Sequence, residues 1–375
     1  MTHTIETVAL LSSSPGAQRH VKVHRLGKQG ARPQVYVQAA IHANETPGML
    51  ILHHLLDLAL EADRAGKVLG ELVLVPFANP IGLADNVLGT QIGREALDGG
   101  GNFNRGFPNL GAAAIARLGG KLGSSPEENI RLVRSTLLEV LAQARPKTEQ
   151  QHMQICLLKL AVEADYVFDV HTELAAVAGM VMGPWDEPHV HELIADMNPA
   201  FYHHSDSPPL FQTILTRPWY DLQQKFSLDA AVLPQACVGA TLEMRGCTDV
   251  DDGLAREDAS RLMRFLMRKG VVKGDPGPVP ELTAYESVHG GTEFLRAPVA
   301  GVALYKRPMG SFVEAGEVVA EIVDPDADDP AQARTPLKAQ AAGIFYGGRH
   351  TRLVRPNDVV AKVAGQTVLA NSGMY

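Results

Sequence analysis

Four short runs in the first two thirds of the chain are almost unbroken in apolar residues: Gln34–His42, Glu71–Pro80, Asp165–Glu173 and Gly239–Gly246. Runs this short and this rich in β-branched residues suit strands covered on both faces of a sheet. Between them the apolar spacing changes to that of amphipathic helices. One helix opens at Thr46-Pro47, a capping residue followed by proline at the first helical position, and carries Met49, Leu52, Leu55, Leu56, Ala59 and Leu60 along its stripe. A second opens at Ser125-Pro126-Glu127-Glu128, where Ser125 and Glu128 have capping-box spacing ahead of Ile130, Val133, Leu137 and Leu141. A third covers about Asp249 to Lys269 and stops at Gly270 after a basic last turn. Strands alternating with helices predict an α/β fold around a largely parallel sheet.

The pattern changes after Gly270. Gly274-Asp275-Pro276-Gly277-Pro278-Val279-Pro280 is a proline-glycine linker, and no long helical period follows it. The remainder repeats itself instead. Ala297–Val302 is echoed by Lys338–Ile344, and Val313–Ile322 by Val354–Val363, each about forty residues on, as two halves of one small β structure would be. This tail resembles the barrel-sandwich of biotinyl and lipoyl carriers, except that its turn reads Val323-Asp324-Pro325-Asp326 and has no lysine to modify. A structural or lid role is therefore expected. The chain divides into residues 1–280, a catalytic α/β domain, and 281–375, an all-β domain.

Composition adds exclusions. With 34 Lys and Arg against 42 Asp and Glu, the formal charge is −8, and there is no basic tract, so a nucleic acid is not an expected partner. At 45% hydrophobic and 20% charged residues the chain is globular, and its 375 residues favour more than one domain. Three cysteines, Cys156, Cys237 and Cys247, form no CxxC pair and fit a reducing compartment. No stretch is long and apolar enough to span a bilayer, and Met1–His20 has no basic segment leading into an apolar core, so a soluble cytoplasmic protein is expected.

Fourteen histidines raise the question of a metal site. His42-Ala43-Asn44-Glu45 ends the first strand, just before the proline-capped helix. There a His and a Glu can both face the space above the carboxyl edge of the sheet and bind zinc at about 2.0–2.2 Å. Alone, the pair reads more simply as a solvated turn. His171, at the end of Tyr166–His171, supplies the third ligand that a catalytic zinc needs. Asp169, two residues earlier on the same face, either orients an imidazole or makes a turn contact. Glu243 is a lone carboxylate in the apolar run Thr241–Arg245, a costly placement unless compensated. An ion pair with Arg245 would compensate it. So would a position beside the metal, as the base that takes a proton from water.

The loop Asn102-Phe103-Asn104-Arg105-Gly106-Phe107-Pro108, preceded by Asp98-Gly99-Gly100-Gly101, sets a guanidinium beside a carboxamide, a geometry suited to a carboxylate. A surface salt bridge is the plainer use of Arg105. Arg94 is a second cation that could steady an oxyanion. The other histidines read as surface or partly packed: His53-His54 in a helix, His189 and His191 without HExxH spacing, and His203-His204 in a polar loop.

Together, His42-x-x-Glu45, Asn104-Arg105, the late His171 and the strand residue Glu243 resemble the zinc carboxypeptidase fold class, and within it the succinylglutamate desuccinylase/aspartoacylase family. The motifs cover roughly residues 30 to 250, and the small β tail also resembles that family's architecture. The resemblance implies a mixed, largely parallel sheet flanked by helices. It implies one Zn²⁺ per chain on His42, Glu45 and His171, with Glu243 activating the water. Asn104 and Arg105 would hold a free carboxylate, Arg94 would polarise the carbonyl, and Tyr220 is assigned to the substrate. Ala43, where glycine is commoner, and the Gly99–Gly101 insertion depart from the family pattern.

The expected activity is hydrolysis of the amide of a small N-acyl amino acid or diamino acid. A zinc carboxypeptidase acting on peptides and a non-catalytic carboxylate binder are the competing readings. A small-molecule substrate is the expected partner, no membrane is implied, and homo-oligomerisation is left open.

Overall fold

The computed structural model describes residues 1–205 and 209–369, so the last residues of the tail lie outside the described part. A nine-stranded mixed sheet runs in the order Thr4–Ala9, His20–Leu26, Glu71–Val75, Gln34–Ala39, Tyr166–Glu173, Val238–Gly246, Gly179–Met182, Phe201–His204, Tyr285–Ser287. The four apolar runs are its centre. Glu71–Val75, Gln34–Ala39, Tyr166–Glu173 and Val238–Gly246 are mutually parallel, and the remaining strands extend the sheet on both sides.

Alternation along these central strands feeds two separate cores. Tyr36, Val73, Val75 and Val167 face one layer, where they meet Leu118, Val133, Leu137, Met153 and Trp219. Val35, Val37, Leu72, Leu74, Phe168 and Val170 face the other, against Leu52, Leu55, Leu193, Leu262 and Phe265. The first layer is built by helices Leu110–Leu118, Pro126–Gln143, Glu149–Ala161 and Phe211–Phe226. The second is built by Pro47–Arg64, Glu187–Met197 and Asp252–Arg268. No helix among the described residues is long and apolar enough to cross a membrane.

Of the three helix starts expected from sequence, two are capped by a side chain and one is not. Ser125 accepts from the Glu128 amide and Asp251 from the Leu254 amide, which caps the second and third predicted helices. Thr46 makes no such bond; it has already turned helical, and Pro47 alone sets that start. Gly270 takes a positive φ of 72° to end the third helix.

The tail bears out its internal echo. Gly301–Tyr305 pairs with Val318–Val323 of its own half and Leu353–Val354 of the other, while Gly343–Gly348 pairs with Val359–Gly365 and with Phe312–Val313. Each half thus lends its short middle strand to its partner, and a core centred on Val319, Ile322, Phe345 and Val363 fills the space between. The tail and the α/β portion also exchange strands. Tyr285–Ser287, just past the linker, joins Phe201–His204 of the large sheet, and Ala175–Ala176 joins Gly347–Gly348 of the tail.

Candidate active site

The parallel centre of the sheet aims three strand ends at one place. His42 follows Gln34–Ala39 after Ala40, whose φ of 58° breaks the strand and turns the chain toward the helix at Pro47. His171 lies within Tyr166–Glu173, and Glu243 is its register partner on the next strand. Glu45 stands in the turn between His42 and that helix. This carboxyl edge of a parallel sheet is where α/β proteins place ligands.

His42, Glu45 and His171 are all buried and offer donor atoms within 4.8 Å of one another. Nδ1 of His42 is 2.9 Å from one oxygen of Glu45, and Nδ1 of His171 is 2.8 Å from the other. The far ring nitrogens face acceptors. Nε2 of His42 lies 2.9 Å from Asn102 Oδ1, and Nε2 of His171 lies 2.8 Å from Asp169 Oδ2. Those acceptors suit a proton on each Nε2 and aim both Nδ1 atoms at one carboxylate, the outer-shell arrangement typical of metal-binding imidazoles. Asp169 is itself fixed by Gln38 Nε2 at 3.0 Å, and Gln38 by the Tyr36 hydroxyl at 2.8 Å.

Titration points the same way. Burial would raise the pKa of Glu45, yet His42 and then His171 hold it well below the usual carboxylate range. Burial would lower that of His171, yet Asp169 and then Glu45 carry it well above the imidazole range. Two lone-pair donors, a carboxylate and an electrostatic demand for positive charge fit a divalent cation.

Arg94 and Asn104 flank this cluster. The glycine insertion forms a hairpin in which Glu95–Ala96 pairs with Gly101–Asn102, returning the chain so that the Phe103 amide donates to the Arg94 carbonyl. A guanidinium nitrogen of Arg94 lies 3.0 Å from Glu45 Oε1. Asn104 Oδ1 accepts from the Phe211 amide at 3.1 Å, which fixes this carboxamide beside the His171 ring. Arg105 donates to the Asn104 carbonyl and lines the same cleft. The methyl of Ala43 packs against Gly82 and Gly93, where an added Cβ would come within 3.1 Å of it.

Glu243 is not paired with Arg245. A bulge after Glu243, with Arg245 at a φ of 69°, breaks the strand alternation and sends the guanidinium to Asp258 on the following helix. Glu243 lines the cleft, and its Oε2 is buried without a hydrogen-bond partner among the described residues. Burial, reinforced by Glu173 and Glu45 and opposed by His171, pushes its pKa up to about 8.

Tyr220 is elsewhere. It stacks on Trp185 at 5.4 Å and borders a surface groove with Phe107, Ile115 and Arg217. His203-His204, expected in a polar loop, forms the end of strand Phe201–His204, and His203 is buried in the cleft wall. Sequence reasoning also missed Glu173, Val177, Val181, Phe201 and Tyr346, which line the cleft as well. The adjacency of Glu173 to the His171 strand end was the one available signal; nothing local marks Tyr346.

The fold and this cluster describe an α/β protein with a candidate two-histidine, one-glutamate metal centre. A sequence profile of the succinylglutamate desuccinylase/aspartoacylase catalytic domain matches residues 31–266, and the chain belongs to that family of hydrolases. Comparison with curated proteins by sequence finds no match. Among solved structures, the chain resembles a candidate succinylglutamate desuccinylase/aspartoacylase from Shewanella frigidimarina NCIMB 400, with a TM-score of 0.87 and 21% identity over 97% of this chain and 98% of that one. A protein of the same family from Shewanella amazonensis SB2B gives 0.85 and 22% over 96% and 98%. The product-bound ectoine utilization protein EutE (DoeB) from Ruegeria pomeroyi gives 0.67 and 19% over 97% and 95%. At these identities the likeness establishes the fold, tail included.

Proposed function

We propose that the protein is a zinc-dependent deacylase that hydrolyses the amide of a small N-acyl amino acid or N-acyl diamino acid. The observation that carries this reading is the Glu243 carboxyl beside the His42, Glu45 and His171 cluster, with its Oε2 buried and without a hydrogen-bond partner among the described residues. A carboxyl oxygen kept there without a partner costs stability, and a proton-transfer role repays the placement.

Zinc on His42, Glu45 and His171 would supply Lewis acidity, polarising a carbonyl and acidifying water. Glu243 takes the proton as the water oxygen bonds to the carbonyl carbon. It then passes that proton to the nitrogen as the carbon–nitrogen bond breaks, leaving a free acid and a free amine. Arg94 brings positive charge to the oxygen that becomes negative. Arg105, adjacent to the braced Asn104, holds the substrate's own carboxylate by the forked geometry of its guanidinium. With Tyr346 of the tail in the cleft wall, small substrates are favoured over peptides.

The test is turnover by zinc-loaded protein against N-acetyl and other N-acyl amino acids and diamino acids, with short peptides alongside. Release of free amine from the small amides, abolished by chelation and restored by zinc, is the expected result. Preferential cleavage of peptides would make it a carboxypeptidase; ligand-induced thermal stabilisation with no turnover would make it a binding protein.

A further inference from the structure

The cleft has two chemically different ends. Across the sheet the strands follow in the order Tyr166–Glu173, Val238–Gly246, Gly179–Met182, Phe201–His204. The His42, Glu45 and His171 cluster, with Arg94 and Arg105, belongs to the first end. Two to three strands along, about 10–14 Å away at ordinary strand spacing, the lining becomes Val181 and Phe201, with Val177 and Tyr346 beside them. Phe201 and Tyr346 are 1% and 4% exposed, with ring centroids 4.3 Å apart. Tyr346 comes from the tail, and the flanking pairs Ala175 with Gly348 and Ala176 with Gly347 fix its strand to the α/β portion. The Val177 amide also donates to the Tyr346 carbonyl at 2.9 Å. The ring is a fixed wall.

Among the described residues that line the cleft, arginine occurs at the other end, as Arg94, drawn to Glu45, and Arg105, next to Asn104. Lys362 of the tail donates to Glu173 at 2.6 Å, so its charge is met within the protein. His203 lies almost parallel to Phe201, and burial holds its pKa down at about 4, leaving a neutral imidazole there.

We propose that the acyl group accepted by this site is uncharged and apolar, a short alkyl or aryl chain rather than a dicarboxylate half such as succinyl, and that Tyr346 sets the preference. The proposal rests on the deacylase reading above. With the amino-acid carboxylate on Arg105 and the amide at Glu243, the acyl chain extends toward Phe201 and Tyr346. A terminal carboxylate there would lose its hydration and find no arginine or lysine among the described residues that line that end. Methylene or ring carbons would instead gain from burial against two aromatic faces.

Binding separates this from the catalytic reading. Zinc-loaded Glu243→Gln protein is titrated calorimetrically with N-hexanoyl and N-succinyl derivatives of the same amino acid, over several amino acids. The hexanoyl compound is expected to bind at least about tenfold tighter, as several buried methylenes allow. Tyr346→Ala should bring the two affinities to within about threefold, and Tyr346→Phe, which keeps the apolar face, should restore the gap. Equal or tighter binding of the succinyl compound, binding of neither, or an unchanged ratio in a folded Tyr346→Ala protein overturns the proposal. Should Tyr346→Ala not fold, the ratio in the parent and in Tyr346→Phe decides. Wild-type turnover of N-acetyl amino acids tests the deacylase reading independently: turnover with succinyl preferred overturns only the acyl assignment.

Discussion

Glu243 and His171 are register partners on neighbouring parallel strands, and Glu243 Oε2 has no hydrogen-bond partner among the described residues. The pair separates two functions that one substitution can test. Glu243→Gln leaves the His42, Glu45 and His171 donors untouched, so stoichiometric metal by elemental analysis should persist. Loss of the proton acceptor should cut turnover by about 10²–10⁴-fold. Full activity in a metal-replete Glu243→Gln protein would remove Glu243 from the mechanism.

The same carboxyl makes metal-free stability depend on pH. Burial pushes its pKa up to about 8, far above the ordinary glutamate value of about 4.5. The folded state therefore binds this proton more tightly than the unfolded state. The associated stability is complete below about pH 4.5 and is lost as pH rises through about 8. Glu243→Gln cannot make that loss. In chelated protein, the melting temperature of the variant relative to wild type should rise between pH 5 and pH 8.5, corresponding to at most a few kcal/mol. A difference that stays constant across that range would show that Glu243 does not titrate in this way.

Metal affinity should depend on a relay that starts well below the cluster. The Tyr36 hydroxyl donates to Gln38, Gln38 donates to Asp169, and Asp169 faces Nε2 of His171. Asp169→Asn weakens the hold on that ring and should lower zinc affinity by about 10–100-fold, read by competition with a chromophoric chelator. Tyr36→Phe, one step further out, should have a smaller effect. Unchanged affinity in Asp169→Asn would assign Asp169 to strand packing alone.

The three cluster residues and Glu243 were legible because each is local: a polar residue at the end of, or inside, an apolar strand needs a reason in its own neighbourhood. The parallel centre of the sheet, covered on both faces, was legible from the same runs. Arg245 was not, because strict alternation puts it beside Glu243 and only the bulge takes it to Asp258. His203 was hidden by its partner His204, since two adjacent histidines read as polar although one faces inward. Tyr346 and Lys362 enter the site region through strand exchange between distant segments, a non-local event that no periodicity encodes. Tyr220 shows the converse: an aromatic nine residues from Phe211, whose amide holds Asn104, yet stacked on Trp185 at a surface groove.

The contact between tail and α/β portion should be most sensitive at Lys362. Its ammonium meets Glu173 at 2.6 Å, with the two side chains 10% and 23% exposed. Lys362→Met keeps much of the stem's packing but leaves the Glu173 carboxylate in a mostly buried place without its cation. Removing one partner of such a pair costs about 3 kcal/mol, more than the intact pair contributes. The melting temperature should fall by several degrees. Combining Lys362→Met with Glu173→Gln removes the uncompensated charge and should recover at least half of the loss. An equal fall in the single and double variants would mean that packing around Lys362, not the charge on Glu173, holds this joint together.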